Sequence, residues 1–418
     1  MLSQSSATSS TLPLRFLITG IVMFILFQLG SVLTFAGWTG LSPRHPEGWS
    51  FAHIILLGWG TMIAMGAVYQ LIFVVVQRHI YSERLGRWHY ILFLIGVLGL
   101  STGFYRGDVT LIASFATLAF IGIGLFAINI IATLLAARIW NTVTVSALSA
   151  VVCLFLTGAT GLGMGLNFRF SFLGMEHNQW FGAHLWFGLA GWFGLLITGF
   201  SYKMLPMFYL SHGHSSKLQP WILLLWNAGV WSGALSSLLG LPAWCQLAAF
   251  GCLTLALAAY CCQIVLIARK KHKKTPGFGI LISVWATCLL AGAVLGFLLY
   301  AACYPAVLVE ESAYAFLISV YLWAWIVPVI LGYMSKIIPF LWWTIKYGDK
   351  VGKEKTPLMA DLIKESHVKL ALSLLVVSAL VLLGTTALGL EPAIKTAAVV
   401  WSLLALGYIG LIGRVFTK

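Results

Sequence analysis

Residues 52–72, AHIILLGWGTMIAMGAVYQLI, and residues 183–206, AHLWFGLAGWFGLLITGFSYKMLP, carry the reading that decides the fold. Each opens on Ala-His and runs on as an apolar stretch of the length a membrane-spanning helix needs, about 20 residues at about 1.5 Å per residue. Aligned on Trp59 and Trp192, they share the pattern W-x6-G-x3-[Q/K]-x2-[F/P], through Gly66 and Gly199, Gln70 and Lys203, and Phe73 and Pro206. A third copy follows around residues 315–336, AFLISVYLWAWIVPVILGYMSK, with Trp325, Gly332 and Lys336, then Pro339. Every column recurs at an interval of 133 residues; Gly58 and Gly191 match as well, with Ala324 third. Four columns at one spacing are more than a Trp- and Gly-rich chain supplies by chance, so the chain is read as an internal repeat. Its architectural meaning is modest: small residues at helix contacts let backbones approach closely where lipid gives no hydrophobic drive between helices.

Working outward, the remaining apolar runs complete twelve expected spans, near 15–40, 50–77, 88–106, 109–137, 144–166, 180–209, 219–240, 244–268, 277–303, 312–346, 368–389 and 394–414. The expected fold is an all-α polytopic membrane protein, a pseudo-threefold ring of three four-helix repeats (about 15–137, 144–268 and 277–414) forming one transmembrane domain over 1–418. Composition agrees. The chain is 60% hydrophobic and 9% charged, against about 25% charged in a soluble domain. A mean hydropathy of +0.96 excludes a water-soluble globule. The net charge of +14 sits in short clusters between apolar runs, which excludes a nucleic-acid binder and matches the loops of a multi-pass protein. The seven cysteines form no C-x-x-C pair and mostly lie in apolar runs, so neither a disulfide framework nor a zinc site is expected. The Ser/Thr-rich start precedes an apolar run long enough to span, unlike a secretory signal.

Orientation follows from the basic residues. One set of alternate loops holds Arg78, Arg84, Arg87, Arg138, Lys217, the run from Arg269 to Lys274 and the segment from Lys346 to Lys369. The other holds Arg44, Arg106, Arg169 and Lys395, offset by carboxylates such as Glu47, Asp108, Glu176 and Glu310. The positive-inside rule makes the first set cytoplasmic, with both termini inside the cell membrane. Lys203 and Lys336, far along their helices, are expected to snorkel to the inner interface.

The histidines sort by side. His79, His89, His212, His214, His272 and His367 fall in or beside the basic loops; a surface metal at His212-Gly-His214 is less favoured than a solvated loop, and His272 reads as part of a charge cluster facing anionic headgroups. His45, His53, His177 and His184 fall on the outer side. An imidazole inside an apolar span is costly unless it finds a partner, so His53 and His184 are functional candidates. Against this stands a purely structural histidine bonded to a neighbouring carbonyl. His177 precedes His184 by seven residues and shares its face about 10.5 Å away if the helix has already begun there; otherwise it is a loop residue. Neutral imidazole ligates haem iron and copper, and Arg44 and Arg169 in the flanking loops would suit haem propionates. No two acidic residues fall within spans, and phosphate-binding Gly loops and nucleophile elbows are absent, which argues against paired-carboxylate hydrolysis, di-iron chemistry and acid-driven transport.

Twelve spans in three groups of four, both termini inside and an outward histidine on span two resemble subunit I of the haem–copper oxidase superfamily. The stretches that open at His53 and His184 look like the H-x-x-x-x-G segments of its divergent bacterial members, among them the NnrS-like haem- and copper-containing proteins of the nitric oxide response. The resemblance implies that His53 matches the span-two ligand of the low-spin haem, and that His184 matches the span-six copper ligand in helix and depth. Three departures are plain. Gly188 stands where many oxidases have the tyrosine that cross-links to the span-six histidine. Span seven, WILLLWNAGVWSG, lacks the histidine pair that completes the copper site. Span ten has no histidine, with Leu317 and Ser319 near the expected positions. His53 and His184 are also two residues out of step on the repeat.

These losses leave four-electron oxygen reduction without its ligands. The leading expectation is a haem-binding membrane protein, with His53 and His184 the first ligands to consider and His177 or His45 next, and with copper a further metal these histidines would suit. It would act in nitric oxide or oxygen chemistry or in electron transfer, with a small gaseous ligand or an electron donor as partner besides the lipid bilayer; as an enzyme it would be an oxidoreductase. The alternatives are a transporter on a decayed oxidase scaffold, and an assembly or partner subunit of a respiratory chain.

Overall fold

A computed structural model of the chain describes residues 3–34 and 45–418. Within them twelve helices are long and apolar enough to cross a membrane: α1 (Ser3–Thr34), α2 (Pro46–Val76), α3 (Glu83–Arg106), α4 (Val109–Ala137), α5 (Thr142–Phe170), α6 (Gly174–Tyr209), α7 (Gln219–Leu238), α8 (Ala243–Arg269), α9 (Phe278–Cys303), α10 (Glu311–Lys350), α11 (Glu365–Ala387) and α12 (Glu391–Thr417). The protein is an all-α multi-pass membrane protein, as its composition requires: only helices or closed barrels satisfy every backbone polar group in lipid. Among the described residues no β-strand forms. Three of the helix starts, those of α3, α4 and α5, are set by short polar side chains that accept from first-turn N–H groups. Ser82 Oγ accepts from Leu85 N at 3.2 Å, Asp108 from Thr110 N and Leu111 N at 2.9 and 3.1 Å, and Asn141 closes a capping box with Thr144.

The 133-residue repeat reappears as backbone geometry. Helices α2, α6 and α10 each contain a π-helical stretch, at Ile54–Thr61, Trp186–Gly194 and Val320–Ile326, so the stretches begin within one residue of the sequence interval. Trp59, Trp192 and Trp325 lie in these stretches, and each is fully buried. The repeat glycines seat the second helix of each group on the first. A Cβ on Gly66 would come 2.9 Å from Phe16 Cβ on α1; one on Gly199 would strike the Ser146 side chain on α5; one on Gly332 would strike the Gly279 carbonyl on α9. In two of the three groups a serine also crosses the contact: Ser146 Oγ donates to Leu195 O at 2.7 Å and Ser283 Oγ to Val329 O at 3.4 Å. Close approach followed by hydrogen bonding is the packing mode expected where lipid supplies no drive.

The chain packs as two compact units. The first comprises residues 1–70, 275–286 and 318–418. Its core is aromatic: Phe24 lies 4.7 Å from Trp59 and 6.2 Å from Trp401 between ring centroids, Trp323 lies 5.0 Å from Trp401, and Phe27 lies 5.9 Å from both Phe51 and Trp323. At one end of this unit Glu365, the first residue of α11, accepts from the Phe278 N–H that opens α9 and pairs with Lys336 Nζ on α10 at 2.8 Å. Lys336 is thus held by a carboxylate that the sequence alone does not name. The second unit comprises residues 71–274 and 287–317, with α3 to α8 packed in succession. There Trp226 Nε1 donates to Ala190 O at 2.8 Å, and Trp186 Nε1 donates to Gln246 Oε1 at 3.0 Å.

Gly332→Leu is expected to lower the thermal midpoint of the detergent-purified protein by several degrees, the effect of about 1–3 kcal/mol of overpacking. Gly384→Leu, on α11 where an added Cβ meets nothing within 4 Å, is expected not to lower it.

Candidate functional site

α2 begins at Pro46, whose missing N–H costs nothing in a first turn. His45 is its N-cap in extended conformation; its carbonyl accepts from Trp49 N at 3.0 Å, while its exposed side chain makes no capping bond. Two turns on, His53 Nδ1 lies 2.7 Å from Trp49 O. A carbonyl only accepts, so Nδ1 carries the proton; when the ring is neutral its lone pair is on Nε2. His53 is the last residue before the π-helical stretch of α2.

His184 reaches the same state through a different neighbour. Its Nδ1 lies 2.9 Å from Thr157 O and 3.3 Å from Thr160 Oγ1, both on α5. The Thr160 hydroxyl already donates to Leu156 O at 2.8 Å and Thr157 O at 3.0 Å, so toward His184 its oxygen accepts. Both neighbours of Nδ1 are acceptors, and Nε2 again bears the lone pair. Gly161 makes this possible: a Cβ there would stand 3.0 Å from His184 Cε1 and 3.3 Å from Nδ1. One ring edge is therefore held against α5 by a carbonyl. This is the arrangement by which metal-bound histidines are oriented and their tautomer set.

His177 differs. It is the first α-helical residue of α6, after a 3₁₀ turn at Gly174–Glu176. Its Nδ1 lies 3.1 Å from Asn167 Nδ2, and Asn167 Oδ1 accepts from Leu173 N at 2.7 Å, which fixes the amide's orientation. His177 Nδ1 is consequently an acceptor, and its proton sits on Nε2, the opposite tautomer to His184. With its ring 5.2 Å from that of Phe168, His177 ties together the turn between α5 and α6. Arg169, in the last turn of α5, is exposed, its guanidinium 5.7 Å from the Phe170 ring centroid. Arg44 lies outside the described residues. His45 and His53 belong to the first unit; Arg169, His177 and His184 belong to the second.

Among the described residues no three His, Cys, Asp or Glu side chains converge on a point that could hold a metal ion. A three-ligand copper centre therefore does not fit the donor set. Haem iron asks less, since a single proximal imidazole holds it; His53 and His184 are alike in turning Nδ1 to a backbone carbonyl.

His89 was missed by sequence reasoning, which grouped it with the neighbouring arginines. It is completely buried in α3, its ring 5.9 Å from Phe93 and 5.1 Å from Phe126, which meets Trp192 edge-on at 5.9 Å. The signal was present: Gly86, His89, Phe93, Gly96, Leu100 and Gly103 recur at three- and four-residue spacing, the pattern of a buried helix face.

No protein-family model and no curated protein matches the sequence. Solved structures do match. A haem–copper terminal oxidase, determined as a dimer by cryo-electron microscopy, superposes with a TM-score of 0.69 at 10% identity, covering 99% of this chain and 83% of that one. The two share a fold. At that identity the fold alone is shared, and ligands must be argued from this chain's residues.

Asn167→Ala removes the acceptor for Leu173 N–H and the donor to His177 together. It is expected to destabilise the detergent-purified protein by about 1–3 kcal/mol, read as a lower thermal midpoint. It should leave unchanged any property that depends on His53.

Proposed function

We propose that this is a haem-binding membrane protein that holds haem through single imidazoles, His53 in one unit and His184 in the other, without a copper centre. The observation that carries the reading is the shared tautomer. Each ring spends Nδ1–H on a backbone carbonyl, at 2.7 Å for His53 and 2.9 Å for His184, which leaves Nε2 as the basic nitrogen. The oxidase-like fold supports it as context. A haem held this way would supply one-electron chemistry and the capacity to bind a diatomic gas such as nitric oxide or oxygen.

The chain's own part is to orient and to exclude water. The carbonyls of Trp49 and Thr157 fix ring direction and raise ligand basicity, and the aromatic filling around Trp59 and Trp192 keeps both helices dry. His177 and His45 stand further from a ligand role, the first by its tautomer and the second by its exposure. In this reading the protein is an NnrS-like member of the oxidase-like fold in the cell membrane, with cytoplasmic termini. Its partners are haem, an electron donor or gaseous ligand, and the lipid bilayer.

The test is a dithionite-reduced minus oxidised visible spectrum of the purified protein, with haem and metal content per chain. Sharp reduced bands are expected, with haem per chain falling in His53→Ala and again in His184→Ala. A colourless protein from haem-replete cells, or wild-type haem content in both variants, would overturn the assignment.

A further inference from the structure

From His177 to Val309 the chain contains no Asp or Glu. Within this stretch lie two loops at the ends of membrane-spanning helices, 210–218 between α6 and α7 and 270–277 between α8 and α9. The first carries His212, His214 and Lys217; the second, reading KKHKK, carries Lys270, Lys271, His272, Lys273 and Lys274, immediately after Arg269. Such a density of like charge would drive two free loops apart. Instead the structure fastens them together.

The fastening is made mostly by main chain and small polar side chains, not by the charged groups. Ser211 and Lys271 form an antiparallel bridge pair, and Ser211 Oγ donates to Ile267 O at 2.8 Å. The N–H groups of His272 and Lys273 both donate to Tyr209 O, at 3.2 and 3.1 Å. Gln263 Nε2 donates to Ser215 O at 2.8 Å. Left-handed backbone at Leu210 (φ 50°) and Gly213 (φ 66°) turns the first loop over the second. In consequence the His212 and His272 rings stand 6.0 Å apart, centroid to centroid, with planes 34° from parallel. Both are exposed, as are the four lysines beside His272, Arg269 and Lys217. Among the described residues none of these cations pairs with a carboxylate.

We infer that these two loops form a binding platform for the phosphodiester headgroup of an anionic phospholipid. The loops begin where α6 and α8 end, so they stand at the level of the headgroups, and clusters of four to eight basic residues beside a span attract anionic lipid. What this platform adds to plain attraction is geometry. Two adjacent imidazoles on fastened loops offer N–H donors to one phosphate, ringed by ammonium groups that neutralise it. The absence of any carboxylate across this part of the chain leaves the neutralising charge to come from outside it. The same excess of cations disfavours a divalent metal at the His212–His272 pair.

Native mass spectrometry of the full-length protein in detergent tests this, by titration with phosphatidylglycerol and with zwitterionic phosphatidylcholine. Phosphatidylglycerol adducts are expected to exceed phosphatidylcholine adducts about tenfold or more, at about fivefold for each ammonium engaged. The Lys270, Lys271, Lys273 and Lys274→Gln variant should lose that preference. The His212→Gln/His272→Gln variant should weaken it severalfold with no change in thermal midpoint, because the fastening bonds use main chain, Ser211 and Gln263. Equal adducts of the two lipids would overturn the inference, as would a preference that survives the lysine changes. Displacement of bound phosphatidylglycerol by millimolar inorganic phosphate would show a site for free phosphate and would equally overturn it. None of these readings depends on haem content, so the platform and the haem assignment stand or fall separately.

Discussion

The contact on which the rest of the structure depends is made three times, between the first and second helix of each repeat. In lipid, apolar side chains gain nothing by leaving the solvent, so helices stay together only where they pack more tightly against each other than against acyl chains. Gly66, Gly199 and Gly332 provide that closeness against α1, α5 and α9. The tryptophans at 59, 192 and 325, one on each of these second helices, are fully buried. Fixing the second helix of each repeat fixes the direction of everything it carries, including His53 and His184 near its start.

The π-helical stretches give these helices their second shared property. An i→i+5 turn holds one residue more than an i→i+4 turn, so side chains beyond it are displaced around the helix by about one position. Both histidines lie just before such a stretch, His53 one residue ahead of Ile54 and His184 two ahead of Trp186. The two-residue offset on the sequence repeat therefore shrinks to one residue when measured from the π-helical start. α10 keeps its stretch but places Ser319 and Ile318 one and two residues ahead of Val320. Stretches of this kind cluster at functional sites in helical proteins. Here the backbone feature is present three times and a histidine just before it twice.

The histidines divide by what their ring nitrogens do. A buried imidazole must spend at least one nitrogen on a hydrogen bond, and the choice decides whether the other is a base or a donor. Carbonyl acceptors at His53 and His184 leave a basic Nε2, whereas the Asn167 amide at His177 leaves an N–H. The buried His89 ring also meets the rings of Phe93 and Phe126. Among the described residues no three metal-binding side chains converge, so what this interior offers is separate imidazoles, each oriented by its own neighbours.

Fold class, the number of spans and their threefold repetition were legible in the sequence, because hydropathy over about 20 residues and a fixed interval of Trp and Gly are properties of the chain read in one dimension. His53 and His184 were legible as residues out of place in apolar runs. Which nitrogen each ring presents was not, since it depends on the Thr157 carbonyl for His184 and on Asn167 for His177, groups on another helix. Nor were the clamp of Lys336 by Glu365 or the meeting of His212 with His272, pairs separated by 29 and 60 positions. Periodicity determines which face of a helix is apolar and therefore that it spans; only helix packing decides which distant polar groups then share that face.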